Sequence, residues 1–70
     1  MKRVTAYDQA NITGSKIRQA RINARLSQRE LSEKLELHAV YVCRGSVSRI
    51  ETGERAVTDV EIDAISKVLD

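Results

Sequence analysis

Seventy residues set the scale of one small domain with a modest core. Lys and Arg number 12 and Asp and Glu 10, for a net charge of +2; Pro, Phe and Trp are absent. The apolar residues are mostly Ile, Leu, Val and Ala, a mix that favours helices packed through aliphatic side chains. No apolar run could span a bilayer, and no secretory signal or lipidation motif is present, so a membrane role is not expected. The single cysteine, Cys43, excludes an internal disulfide, and a reducing cytoplasm is the expected location. The charge is unevenly spread. Residues 1–29 carry Lys2, Arg3, Lys16, Arg18, Arg21, Arg25 and Arg29 against Asp8 alone, a balance of +6, whereas residues 30–70 carry −4. Such an asymmetry can orient a polyanion.

In chain order, residues 1–10 lack a clear period and read as an N-terminal arm, with room for some helix in it, and the domain proper covers residues 11–70. Asn11 or Thr13 can cap a first helix. Ile12, Ile17, Ala20, Arg21 and Ala24 recur at helical spacing, with Lys16, Arg18 and Arg25 on the polar side and an end near Arg25. Gly14, placed in the first turn, leaves space for close packing. Ser27 and Glu30 form a capping box that opens a second helix. Leu31 and Leu35 supply its apolar stripe, Leu26 is placed to staple it, and it runs to about Leu37. Residues 38–42 are apolar and β-branched and fit no element. Thr58 and Glu61 form a second capping box, and Val57, Ile62, Ile65 and Leu69 give the core stripe of a last helix over about 59–69.

Between them, Ser46–Gly53 is the most distinctive stretch. Val47 and Ile50 are three apart and share one helical face, while Ser46, Ser48 and Arg49 point elsewhere. Gly53 can take the left-handed conformation that stops a helix. A third helix over about 44–52 thus has two apolar anchors and a small, polar, basic outer face. That face suits a polar, anionic surface, and equally suits plain solvent.

Two short helices, the first opened by a capping box and the second basic-faced, are the grammar of a helix-turn-helix. The set Ile12, Gly14, Ile17, Arg18, Arg21, then Leu26, Ser27, Gln28, Leu31, Leu35, then Val47, Ser48, Arg49, Ile50, Glu51, Gly53, then Ile62, Ile65, Leu69 resembles the Cro/cI-type (XRE) family of repressors. The resemblance implies an all-α fold, a small lambda repressor-like bundle of four to five short helices containing a helix-turn-helix. It implies a sequence-specific DNA-binding transcriptional regulator, a repressor, whose third helix enters the major groove of double-stranded DNA, with a homodimer on a two-fold site. Gln28 would meet a phosphate, and Arg21 and Glu51 would form an inward-facing salt bridge. The chain departs from the family pattern twice. Residues 38–42 are an insertion, which would lengthen the second helix, enlarge the turn or offer a partner surface. The fifth helix common in the family is missing, as expected of a truncated product.

Contacts to DNA divide into those that hold register and those that read sequence. Candidates for phosphate contact are Lys16, Arg18, Gln28, Arg29 and Arg55. Candidates for base contact are Arg44, Ser46, Ser48 and Arg49, since an arginine can donate twice to guanine O6 and N7 and a serine can serve several bases. Enzyme chemistry, a cofactor and a metal are not expected. His38 and Cys43 are only two potential ligands, and no nucleophile elbow or phosphate loop is present. Two other functions use the same residues: a protein-interaction module on this fold with residues 39–42 as its surface, or the DNA-targeting part of a larger enzyme or antitoxin.

Overall fold

The computed structural model describes the backbone of residues 6–69 and the side chains of residues 13–69. Four helices follow in order: α1 (Ala6–Asn23), α2 (Gln28–Leu37), α3 (Arg44–Thr52) and α4 (Asp59–Leu69). They pack as an all-α bundle in which α3 lies against both α1 and α2, and α4 closes the far side of both.

α1 begins before Asn11, so neither Asn11 nor Thr13 is its cap, and residues 6–10 of the expected arm are helical. Residues 1–5 and the side chain of Ile12 lie outside the described set. The helix stops where Arg25 turns to φ 60°, with the Leu26 amide returning to the Arg21 carbonyl at 3.1 Å. Ala24 falls past this end and is exposed rather than packed. Gly14 sits in the middle of α1, not in its first turn. A Cβ there would collide with the main-chain oxygen of Ile50, so the missing side chain is what lets α1 and α3 touch backbone to backbone.

α2 opens on the Ser27 capping box. The Glu30 amide donates to Ser27 Oγ at 3.0 Å, and the Ser27 amide donates to the Glu30 carboxylate at 2.9 Å. Those bonds hold the Glu30 carboxyl below the usual range. Leu31 and Leu35 are completely buried. Residues 38–43 form the turn between α2 and α3. His38 leaves the helix, Ala39 takes φ 59°, and the Val40 amide returns to the Leu35 carbonyl at 3.0 Å. The apolar character of residues 38–42 divides accordingly. Val42 is buried in the core and its carbonyl accepts from Ser32 Oγ at 2.6 Å, while Tyr41 is 78% exposed.

The core gathers Ile17, Leu31, Leu35, Val42, Val47, Ile50, Ala64 and Ile65, with Val40, Val57, Val68 and Leu69 packed against it. On α4 the inward line is Glu61, Ala64 and Ile65, and Ile62 is 42% exposed. Of the expected stripe, Ile65 is buried and Val57 and Leu69 pack against the core, and only Ile62 departs from it, its inward place being taken by the carboxylate of Glu61.

Candidate nucleic-acid interface

The interface is organised by what α3 hides. Val47, Ile50 and Glu51 face inward. Val47 and Ile50 enter the core, and the Glu51 side chain is only 1% exposed. A buried carboxylate needs partners, since desolvation is otherwise several kcal/mol against it. Arg21 of α1 supplies a two-pronged one: Nε donates to Glu51 Oε2 at 2.6 Å and Nη2 to Oε1 at 3.0 Å. The remaining Arg21 Nη1 donates to the Leu26 carbonyl at 2.7 Å, and Gln28 Nε2 donates to Glu51 Oε1 at 3.1 Å. One cluster thus ties α1, the α1–α2 turn, the start of α2 and α3 together. Among the described residues no buried side-chain nitrogen or oxygen is left without a partner.

With that face fixed, the opposite face is fixed too. Gly45, Arg49 and Thr52, spaced four and three apart, form the outermost line of α3 and are exposed. Arg44 is exposed beside them, and Ser46 and Ser48 lie half-buried on the two flanks. Among the described residues neither Arg44 nor Arg49 has an acidic partner. Arg49 Nη2 instead donates to Ser46 Oγ at 3.3 Å. Cys43 is the N-cap of α3 but caps no amide; its thiol meets Ser46 Oγ at 3.4 Å. The Ser46 hydroxyl, the amides that open α3 and the charge of Arg49 hold the exposed Cys43 thiol below its usual range. At the other end Gly53, at φ 82°, stops the helix, and the Glu54 amide donates to the Arg49 carbonyl at 2.8 Å.

The residues selected for phosphate contact are not gathered in one place. Arg18 is exposed and, by spacing, borders the Gly14 and Arg21 line that meets α3. Lys16 is exposed on the other side of α1, at the rim of an apolar groove shared with Ile62, Ile65 and Leu69 of α4. Arg29 is exposed with a loose 3.8 Å pairing to Glu33. Gln28 has already committed one amide hydrogen to Glu51. Arg55 is engaged by Glu61: Nη1 to Oε1 at 3.1 Å and Nη2 to Oε2 at 2.8 Å. A phosphate would have to compete with that bidentate carboxylate. Gly45 and Thr52, which share the exposed line with Arg49, were not singled out from the sequence, although their spacing from Arg49 was available as a signal. The Gln28 bond to Glu51 had no sequence signal.

No described helix is long and apolar enough to cross a membrane. Among the described residues no group of three or more His, Cys, Asp or Glu side chains gathers as a metal site. The helix-turn-helix family model HTH_3 matches residues 17–70. No curated protein and no solved structure matches the chain. Taken with the α2–turn–α3 geometry and the buried partner of Arg21, the match places this chain in the Cro/cI-type (XRE) helix-turn-helix family, a family of DNA-binding domains.

Proposed function

We propose that this protein is a transcriptional regulator, acting as a repressor, that seats α3 in the major groove of duplex DNA and binds a two-fold site as a homodimer. The observation that carries the reading is the division of α3. Its inner face is locked by Val47, Ile50 and the Glu51 cluster, and its outer face presents Arg44 and Arg49 with no carboxylate to neutralise them. An unneutralised guanidinium on a rigid helix is suited to the paired acceptors of guanine. In this reading Arg44, Arg49 and Ser48 meet base edges. Arg18, Arg29 and the backbone amides opening α2 meet phosphates, and Arg55 serves the fold. Dimerisation is inferred from the symmetry of operator sites for such domains.

The test is enrichment of random duplex DNA on the purified protein, followed by titration of the enriched site at several salt concentrations. A palindromic consensus and an affinity that falls steeply with salt are expected. Failure to enrich any sequence, with salt-independent binding, would refute the proposal. The interaction-module reading draws on a separate observation, the exposure of Leu37 (85%) at the end of α2 and of Tyr41 (78%) on the turn that follows; within residues 39–42 Val42 is buried and Val40 packs on the core. It requires that loss of these two side chains abolish function while DNA binding is absent.

A further inference from the structure

The outer face of α3 carries one arginine whose position is set by its own helix. Arg49 Nη2 donates to Ser46 Oγ, one turn toward the start of α3. The guanidinium also lies over Gly45, where an added Cβ would sit 3.6 Å from Nη1 and 3.9 Å from Nη2. The guanidinium therefore rests along the helix at van der Waals distance from position 45. Ser46 is itself held from the other side, since its Oγ also meets the Cys43 thiol at 3.4 Å. Ser46 Oγ thus already has two neighbours, Arg49 and Cys43, before any base arrives.

Resting on the DNA-binding reading above, we infer that Ser46 is a positioning residue rather than a base reader. It pins Arg49 back over Gly45, so that the arginine meets the major groove as a preset fork at the leading end of α3. A free arginine side chain must give up rotamer freedom on binding, and a pinned one has already done so. The pinning leaves Nη1 and the second hydrogen of Nη2 directed to a partner such as guanine O6 and N7. Ser46 thereby contributes to specificity at the base pair Arg49 reads, not at one of its own.

Two measurements test this. The first needs no DNA: 15N relaxation of the Arg49 guanidinium in the wild type, Ser46→Ala and Ser46→Thr. Arg49 Nε–H is expected to be ordered in the wild type, to gain motion in Ser46→Ala, and to recover in Ser46→Thr, whose methyl has room in the open groove beside Ser32, Glu36 and Tyr41. Unchanged order in Ser46→Ala overturns the inference. The second is duplex enrichment with the same variants and Arg49→Ala. Ser46→Ala should weaken preference about three- to tenfold at the one base pair whose preference Arg49→Ala abolishes, with the salt dependence unchanged. Loss of preference at a different base pair would make Ser46 a reader in its own right and overturn the inference. If the wild type enriches no sequence while Ser46→Ala still frees Arg49, the regulator reading falls and the positioning contact alone is upheld.

Discussion

Two arginine–glutamate forks hold this domain, and they do different work with the same chemistry. Arg21 and Glu51 are thirty residues apart in sequence, join α1 to α3, and are closed off from water. Arg55 and Glu61 are six apart, join a loop to the first turn of α4, and leave the Arg55 side chain 34% exposed. The first fork is tertiary: removing one arm strands a charge in the core. The second is an extended cap. Thr58 Oγ1 accepts from the Glu61 amide at 3.2 Å, the Thr58 amide donates to the Glu61 carboxylate at 2.9 Å, and Arg55 finishes the carboxylate from outside. The difference teaches that pairing chemistry alone does not rank an ion pair; what ranks it is where the orphaned partner would go.

The sharpest way to break the comparison is Glu51→Ala. It strands Arg21 and Gln28 and should cost about 3–5 kcal/mol, a large fraction of what a domain this size holds, in chemical denaturation. Replacing both arms with apolar side chains (Arg21→Met with Glu51→Leu) should recover most of that loss, because no charge is then stranded. Gly14→Ala tests the same junction without touching charge. The new Cβ must displace main-chain oxygen of Ile50, so α1 and α3 separate, at a cost of about 1–3 kcal/mol in the same assay. Glu61→Ala should cost about 1–2 kcal/mol, as for a lost cap, since Arg55 can return to water. Its signature is local: faster amide hydrogen exchange at the start of α4, with α1 and α3 unchanged. The smallest effect is in pH. Arg55 chiefly, against the opposing effect of burial and with help from the Thr58 amide, holds the Glu61 carboxyl below its usual range. A carboxyl depressed on folding stabilises fully above its unfolded pKa of about 4.3 and loses that contribution as pH falls through the folded value. Thermal melting of Glu61→Gln should therefore fall less steeply than that of the wild type as pH drops below about 4.3.

Much of this arrangement is legible from sequence because it is local. The Ser27 and Thr58 capping boxes, the bounds of α2 and α3, and the Gly53 stop all follow from residues within one or two turns. Helical spacing put Arg21 on the inward line of α1, but its pairing with Glu51 came only through family resemblance, since spacing cannot name a partner thirty residues away. On α4 only Ile62 departs from the expected stripe, because the Glu61 carboxylate, satisfied by Arg55 and Thr58, turns inward beside it. α1 extends earlier than the capping residues read from sequence, because Asn and Thr are also tolerated inside a helix and do not by themselves mark its start. At the interface, the basic outer face of α3 was readable from spacing. The engagement of Arg55 by Glu61 and the Ser46 seat for Arg49 were not, because each depends on a rotamer.

The central claim is that the outer face of α3 lies in the major groove with Arg49 on guanine. Guanine N7 methylation interference on the enriched duplex tests it most directly, with the wild type and Arg49→Ala compared. The account predicts that methylation at one guanine per half-site blocks wild-type binding and no longer matters to Arg49→Ala. Binding by the wild type that ignores N7 methylation throughout the site would contradict it.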